Sequence, residues 1–138
     1  MVTEYKGKQI RSGSSGSYNG GYVSDIAKIS TTDATATVIY SIPMALSSAV
    51  SGRALVVGKK SDSTASIGAH VTNFTGRRGS SGNVAEPAAE TVVTGEDSSG
   101  TPAVTVVANT TDQTIEIKVT GISAETYYWE AFIEYIKG

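Results

Sequence analysis

The stretch "QTIEIKVTG" (113–121) alternates too strictly to be a helix. Ile115, Ile117 and Val119 fall on one side of it, and Glu116, Lys118 and Thr120 on the other. A period of two is what a half-buried strand requires, because successive side chains leave a strand on opposite faces. The same rule governs "YYWEAFIEYI" (127–136). There Trp129, Ala131, Ile133 and Tyr135 share a face suited to a core, with Tyr128, Glu130, Phe132, Glu134 and Ile136 opposite. Trp129, Ile133, Ile115, Ile117 and Val119 are therefore the expected core.

Six further extended runs can be marked. "YVSDIAKIS" is a mixed strand, and "TATVIYSIP" (35–43) sets Val38, Tyr40 and Ile42 against Thr37, Ile39 and Ser41. Pro43 closes that run, since it has no N–H for a ladder. "AVSGRALVVGKKSD" carries Val50, Leu55, Val56 and Val57, and "STASIGAHVTNFTGRRGSSGN" runs extended into a Gly/Ser turn. "AETVVTGEDSSGTPAVTVVANTTD" supplies two short strands around an acidic turn. No segment reads as a helix beyond one turn at "MALSSAV". About eight strands with turn signals every 8–14 residues predict an all-β, antiparallel β-sandwich of jelly-roll-like form over residues 22–138.

Residues 1–21 differ from the rest. They begin "MVTEYKGKQIRSG" and pass into the linker-like "SGSSGSYNGG" (12–21). Too polar to form a core element, they are expected to be an extended N-terminal arm. Ordering such a segment costs on the order of 1–2 kcal/mol per residue in backbone entropy. A neighbouring molecule that accepts Tyr5, Ile10, Tyr18 and Tyr22 would offset that cost, helped by strand pairing.

Composition removes several function classes. The chain has 138 residues, a net charge of -2 and no cysteine, with Ser and Thr making up about a quarter of it. Without cysteine there is no disulfide, zinc–thiolate site or thiol nucleophile. Without a basic footprint, nucleic-acid binding is not expected. Neither a secretory leader nor a membrane span is visible, so synthesis in a cytoplasm and no membrane partner are expected.

The chemical motifs are weak. His70 is the single histidine and lies mid-strand in "IGAHVTN", with no G-x-S-x-G elbow to accompany it. It reads as a structural or surface residue, and no hydrolysis is expected to depend on it. Neither a metal nor a cofactor is expected: His70 with carboxylates alone is a poor zinc set, and "GEDSSG" (95–100) lacks the alternating ligands of a calcium loop. "TGRRGSSGN" lacks the spacing of a phosphate loop, which leaves Arg77 and Arg78 as a solvated tip or a dock for an acidic partner. The sequons "NFT" and "NTT" are discounted without a secretory route. Phe132 and Ile136 beside two glutamates make an odd surface for a lone monomer, so that face of the last strand is expected against a partner subunit.

Four pieces of the chain together resemble a module of tailed-phage virion proteins. They are "GRALVVGKK" (52–60), "IEIKVTG" (115–121), the turn "ISAET" (122–126) and "WEAFIEY" (129–135), the last of the form W-x-A-x-I. The resemblance spans roughly residues 38–137 and departs in one respect: a second tryptophan often precedes "VTG" in such modules, and here Trp129 stands alone. It implies a β-sandwich and a virion structural protein, and carries over no catalytic residue. The expectation is a non-enzymatic capsid decoration protein, found in the virion as a homo-oligomer (a trimer favoured) and bound to the major capsid protein or another virion protein. Tyr5, Ile10, Tyr18, Tyr22, Arg77, Arg78 and Phe132 would form its interface. The alternative is a tail-fibre or head-fibre receptor-binding module that takes carbohydrate. A lectin reading would use Tyr18, Tyr22, Tyr127 and Tyr128 as a stacking platform.

Overall fold

A computed structural model describes residues 21–62, 67–87, 89–96 and 102–138. Among the described residues eight strands follow in order: β1 (Gly21–Thr31), β2 (Thr37–Pro43), β3 (Ser48–Lys60), β4 (Ile67–Arg78), β5 (Ala89–Glu96), β6 (Ala103–Asn109), β7 (Thr114–Thr120) and β8 (Tyr127–Lys137). They form two antiparallel sheets, β1-β8-β3-β4-β5 and β2-β7-β6. The sandwich expected from the sequence is the fold observed. Its jelly-roll-like qualifier is not confirmed, because the strands divide five and three. β3 and β4 stay together as a hairpin in the larger sheet, where a jelly roll's double Greek key would return a strand to the other.

The core lies between the sheets. Ile42, Ile115, Ile117 and Val119 come from the smaller sheet, and Val56, Phe74, Trp129 and Ile133 from the larger, all buried. Each such side chain contributes roughly 1.5–3 kcal/mol when removed from water. β8 is interior, paired along its length with β1 on one side and β3 on the other. The alternation in "YYWEAFIEYI" thus follows from its position: one face meets the core and the other faces outward.

One strand breaks the expected alternation. Between Val38 and Tyr40 the β2–β7 register shifts, so that Val38 pairs Lys118 while Tyr40 pairs Ile117. Ile39 is the extra residue of a β-bulge. The bulge turns Val38 to the outer face with Lys118, and Ile39 packs with Tyr40 against the core. The split of faces expected for Val38 and Ile39 is corrected accordingly.

Polar side chains close one end of the sandwich. Arg78 donates from Nε to the Gly82 carbonyl at 3.0 Å and from Nη1 to the Met44 carbonyl at 3.0 Å. Gln113, held at φ 59°, accepts from the Val84 N–H and donates to Asn83 and to the Thr110 carbonyl. Lys137 donates to the Pro43 carbonyl. The Arg78 and Gln113 bonds tie the loop after β4 to the β2–β3 and β6–β7 turns, and the Lys137 bond ties the end of β8 to the end of β2. Arg78→Ala should cost about 1–2 kcal/mol, as expected for two charge-assisted bonds at a partly exposed site. A urea midpoint unchanged from wild type would show that the loop holds without it.

Candidate functional site

The register of the larger sheet arranges its outer face in rows. Side chains directly opposite in paired strands share a face, so the row through Phe132 reads Ile26 (β1), Phe132 (β8), Leu55 (β3) and Val71 (β4). Four apolar side chains thus cross four strands in one line. Ile26 is 60% exposed, Leu55 44% and Phe132 38%. Two residues toward the β8 C-terminus lies a polar row of Ser24, Glu134, Arg53 and Asn73. On the other side the row is Lys28, Glu130 and Val57.

Charge on this face is tightly organised. Glu134 accepts from the Tyr22 hydroxyl at 2.8 Å on one oxygen and from Arg53 Nε at 2.6 Å on the other. Those two bonds, Tyr22 first, hold its carboxyl below the usual range. The bond to Glu134, then burial, pushes the Tyr22 hydroxyl up. Lys28 and Glu130 make a looser, exposed pair at 4.0 Å. A shallow recess beside Arg53 and Glu134 is lined by Tyr22, Asn73 and Ile136.

Among the described residues eight large apolar side chains are exposed, and only Leu46 lies elsewhere. Tyr22, Ile26, Leu55, Val57, Tyr128, Phe132 and Ile136 all belong to this one face. Lone exposed apolar residues are ordinary, but a contiguous set is not. The candidate site is this face.

The residues singled out from the sequence divide. Tyr22 and Phe132 come together on the face, while Tyr5, Ile10 and Tyr18 lie outside the described residues. Arg77 and Arg78 sit at the far end of β4: Arg77 is exposed and bonds Ala85 through its backbone, and Arg78 staples the loop as above. Tyr128 is exposed on the face, but Tyr127 is buried and stacks on Trp129 with ring centroids 5.7 Å apart. A platform using Tyr127 is thereby excluded, and its place two residues before Trp129 was the signal.

His70 is 2% exposed, with its ring 6.5 Å from Trp129. Its neighbours on the inner face of β4 are Thr72 and Phe74, both buried. The acidic stretch 95–100 lies largely outside the described residues. Missed in the sequence were Ile26, Leu55 and Val57, whose importance depends on register alone.

No family model matches the sequence, and no curated protein matches it either. Among solved structures the chain is similar to the tailspike protein gp49 of Acinetobacter baumannii bacteriophage Fri1, a capsular polysaccharide depolymerase. The TM-score is 0.48 and the identity 11%, over 84% of this chain and 18% of that one. The tailspike of Acinetobacter baumannii phage AM24 gives a TM-score of 0.47 at 10% identity, over 82% of this chain and 26% of that one. A third Acinetobacter phage tailspike gives 0.35 at 16%, over 96% and 24%. The chain spans about a fifth to a quarter of the length of these neighbours. The expectation that it is not an enzyme is corrected by this finding, because the Fri1 neighbour is one.

Proposed function

We propose that the chain is an interaction module of a tailed-phage virion, placed in the tail apparatus, and that it assembles through the outer face of its larger sheet. The observation that carries this is the gathering of seven exposed large apolar side chains on one sheet face, interleaved with paired charges. Aromatic and apolar anchors inside a polar surround are the composition of interface cores. The "VTG" and W-x-A-x-I pieces supply the link to virion proteins. Of the two virion readings the sequence raised, the tail-fibre one corresponds to the phage tailspike neighbours and replaces capsid decoration here.

The test is mass spectrometry of purified particles separated into heads and tails. The chain should be found with tails. Phe132→Glu changes the outward face and leaves the core side chains untouched, so a variant with an unchanged far-UV spectrum should be depleted from particles at least tenfold. Recovery with heads alone, or undiminished incorporation of the variant, would overturn the proposal.

A further inference from the structure

We propose that the outer face of the larger sheet is self-complementary and binds a second copy of this chain about a two-fold axis. This rests on the reading of that face as an assembly surface and names its occupant. The warrant is the order of charge and apolar side chains along the rows. The middle two strands of the patch are β8 and β3, with β1 and β4 outside them. A two-fold axis parallel to the strands, between β8 and β3 and above the face, carries each row onto itself while exchanging β8 with β3.

The consequences follow from register alone. Phe132 comes to lie over the partner's Leu55, and Ile26 over the partner's Val71. In the polar row Glu134 meets the partner's Arg53, and Arg53 meets the partner's Glu134. Each molecule already joins these two groups at 2.6 Å, so the dimer sets two such pairs side by side with opposite charges adjacent. Arg53 commits Nε–H to its own Glu134, and a guanidinium has four further N–H donors for a second carboxylate. At the other end Tyr128 lies over the partner's Lys59, an aromatic face against an ammonium.

The two-fold at right angles to this one does worse on charge. Turning the copy about an axis along the rows, perpendicular to the strands, sets Glu134 against the partner's Glu130, carboxylate on carboxylate. Identical patches meeting face to face require a two-fold, so the proposed assembly holds two copies, where the sequence reading favoured three. The stacked sheets would cross at about 30°, the usual angle for aligned sheets. Four strands by five rows cover about 600 Å² of flat area per copy. A standard interface buries roughly 800 Å² per partner, so association should be reversible.

Sedimentation equilibrium of the full chain, from micromolar to several hundred micromolar, tests this. Wild type should show monomer–dimer exchange. Arg53→Glu puts two like charges beside each Glu134 and should weaken the dimer at least tenfold, with the far-UV spectrum unchanged. The swap Arg53→Glu with Glu134→Arg should restore the dissociation constant to within about threefold, because the pairing is reciprocal. A chain that stays monomeric throughout, forms a trimer, or dimerises regardless of Arg53 would overturn the proposal. So would a wild type that dimerises only once residues 2–20 are deleted, since that segment would then own the face. A monomer recovered with phage tails would sink the dimer and leave the tail assignment standing.

Discussion

Trp129→Ala should lower the stability of the fold by about 3–5 kcal/mol, the range for removing a large buried aromatic. Trp129 is 2% exposed on the larger sheet's inner face, near the start of β8. Its indole Nε1 donates to Thr31 Oγ1 at 3.0 Å, and its ring packs against Tyr127 and His70. Truncation removes the ring from water-free packing, leaves a cavity beneath β3, and strips a buried threonine of its donor. Trp129→Phe separates these contributions: it keeps part of the volume but loses the Thr31 bond, and should cost about half as much. Because Trp129 is the single tryptophan, the variants lack tryptophan fluorescence, so equilibrium unfolding is followed by far-UV circular dichroism. A shift below about 1 kcal/mol for Trp129→Ala would show that the core closes without it.

What the sequence revealed and what it hid follow one physical line. Alternation reports burial against a partner on one side, and it is reliable where a strand is straight and interior. β7 and β8 are both, and Ile115, Ile117, Val119, Trp129 and Ile133 lie in the core as their spacing predicts. β2 is bulged, and one extra residue at Ile39 was enough to exchange the roles of Val38 and its neighbour. No local pattern marks such a bulge, because its cause is pairing with a distant strand.

The candidate face was hidden for the same reason. Phe132 alone drew notice, since it sits among glutamates in an otherwise regular strand. Its row-mates Ile26 and Leu55 lie 106 and 77 positions earlier in the chain, by subtraction of residue numbers, and only register brings them level. β5 and β6 are a comparable case. Read as strands around an acidic turn, they belong to different sheets, with β5 on β4 and β6 on β7. Strand existence is a local property; strand partnership is not.

Gly58 supplies the second large effect. It lies directly opposite Trp129 in the β3–β8 ladder, on the core side. A glycine inside a central strand weakens it, and often marks a place where another group approaches closely. Here that group is the indole: a Cβ on Gly58 would fall 2.5 Å from Cζ3 and 2.6 Å from Cε3 of Trp129. The ring cannot simply swing aside. Its N–H is bound to Thr31, Tyr127 stacks on it, and the inner face around it is buried.

Gly58→Ala should therefore cost about 2–3 kcal/mol, within the range for overpacking a dense core, and Gly58→Val more. The same substitution in a Trp129→Phe background meets a smaller ring, and the added methyl group can occupy the space the indole leaves. The double variant should then be more stable than the sum of the single losses predicts, by at least about 1 kcal/mol of coupling. Urea titrations of the four proteins measure it. Strict additivity would mean that Gly58 and Trp129 do not share that space, and that the glycine is present for some other reason than to make room for the ring.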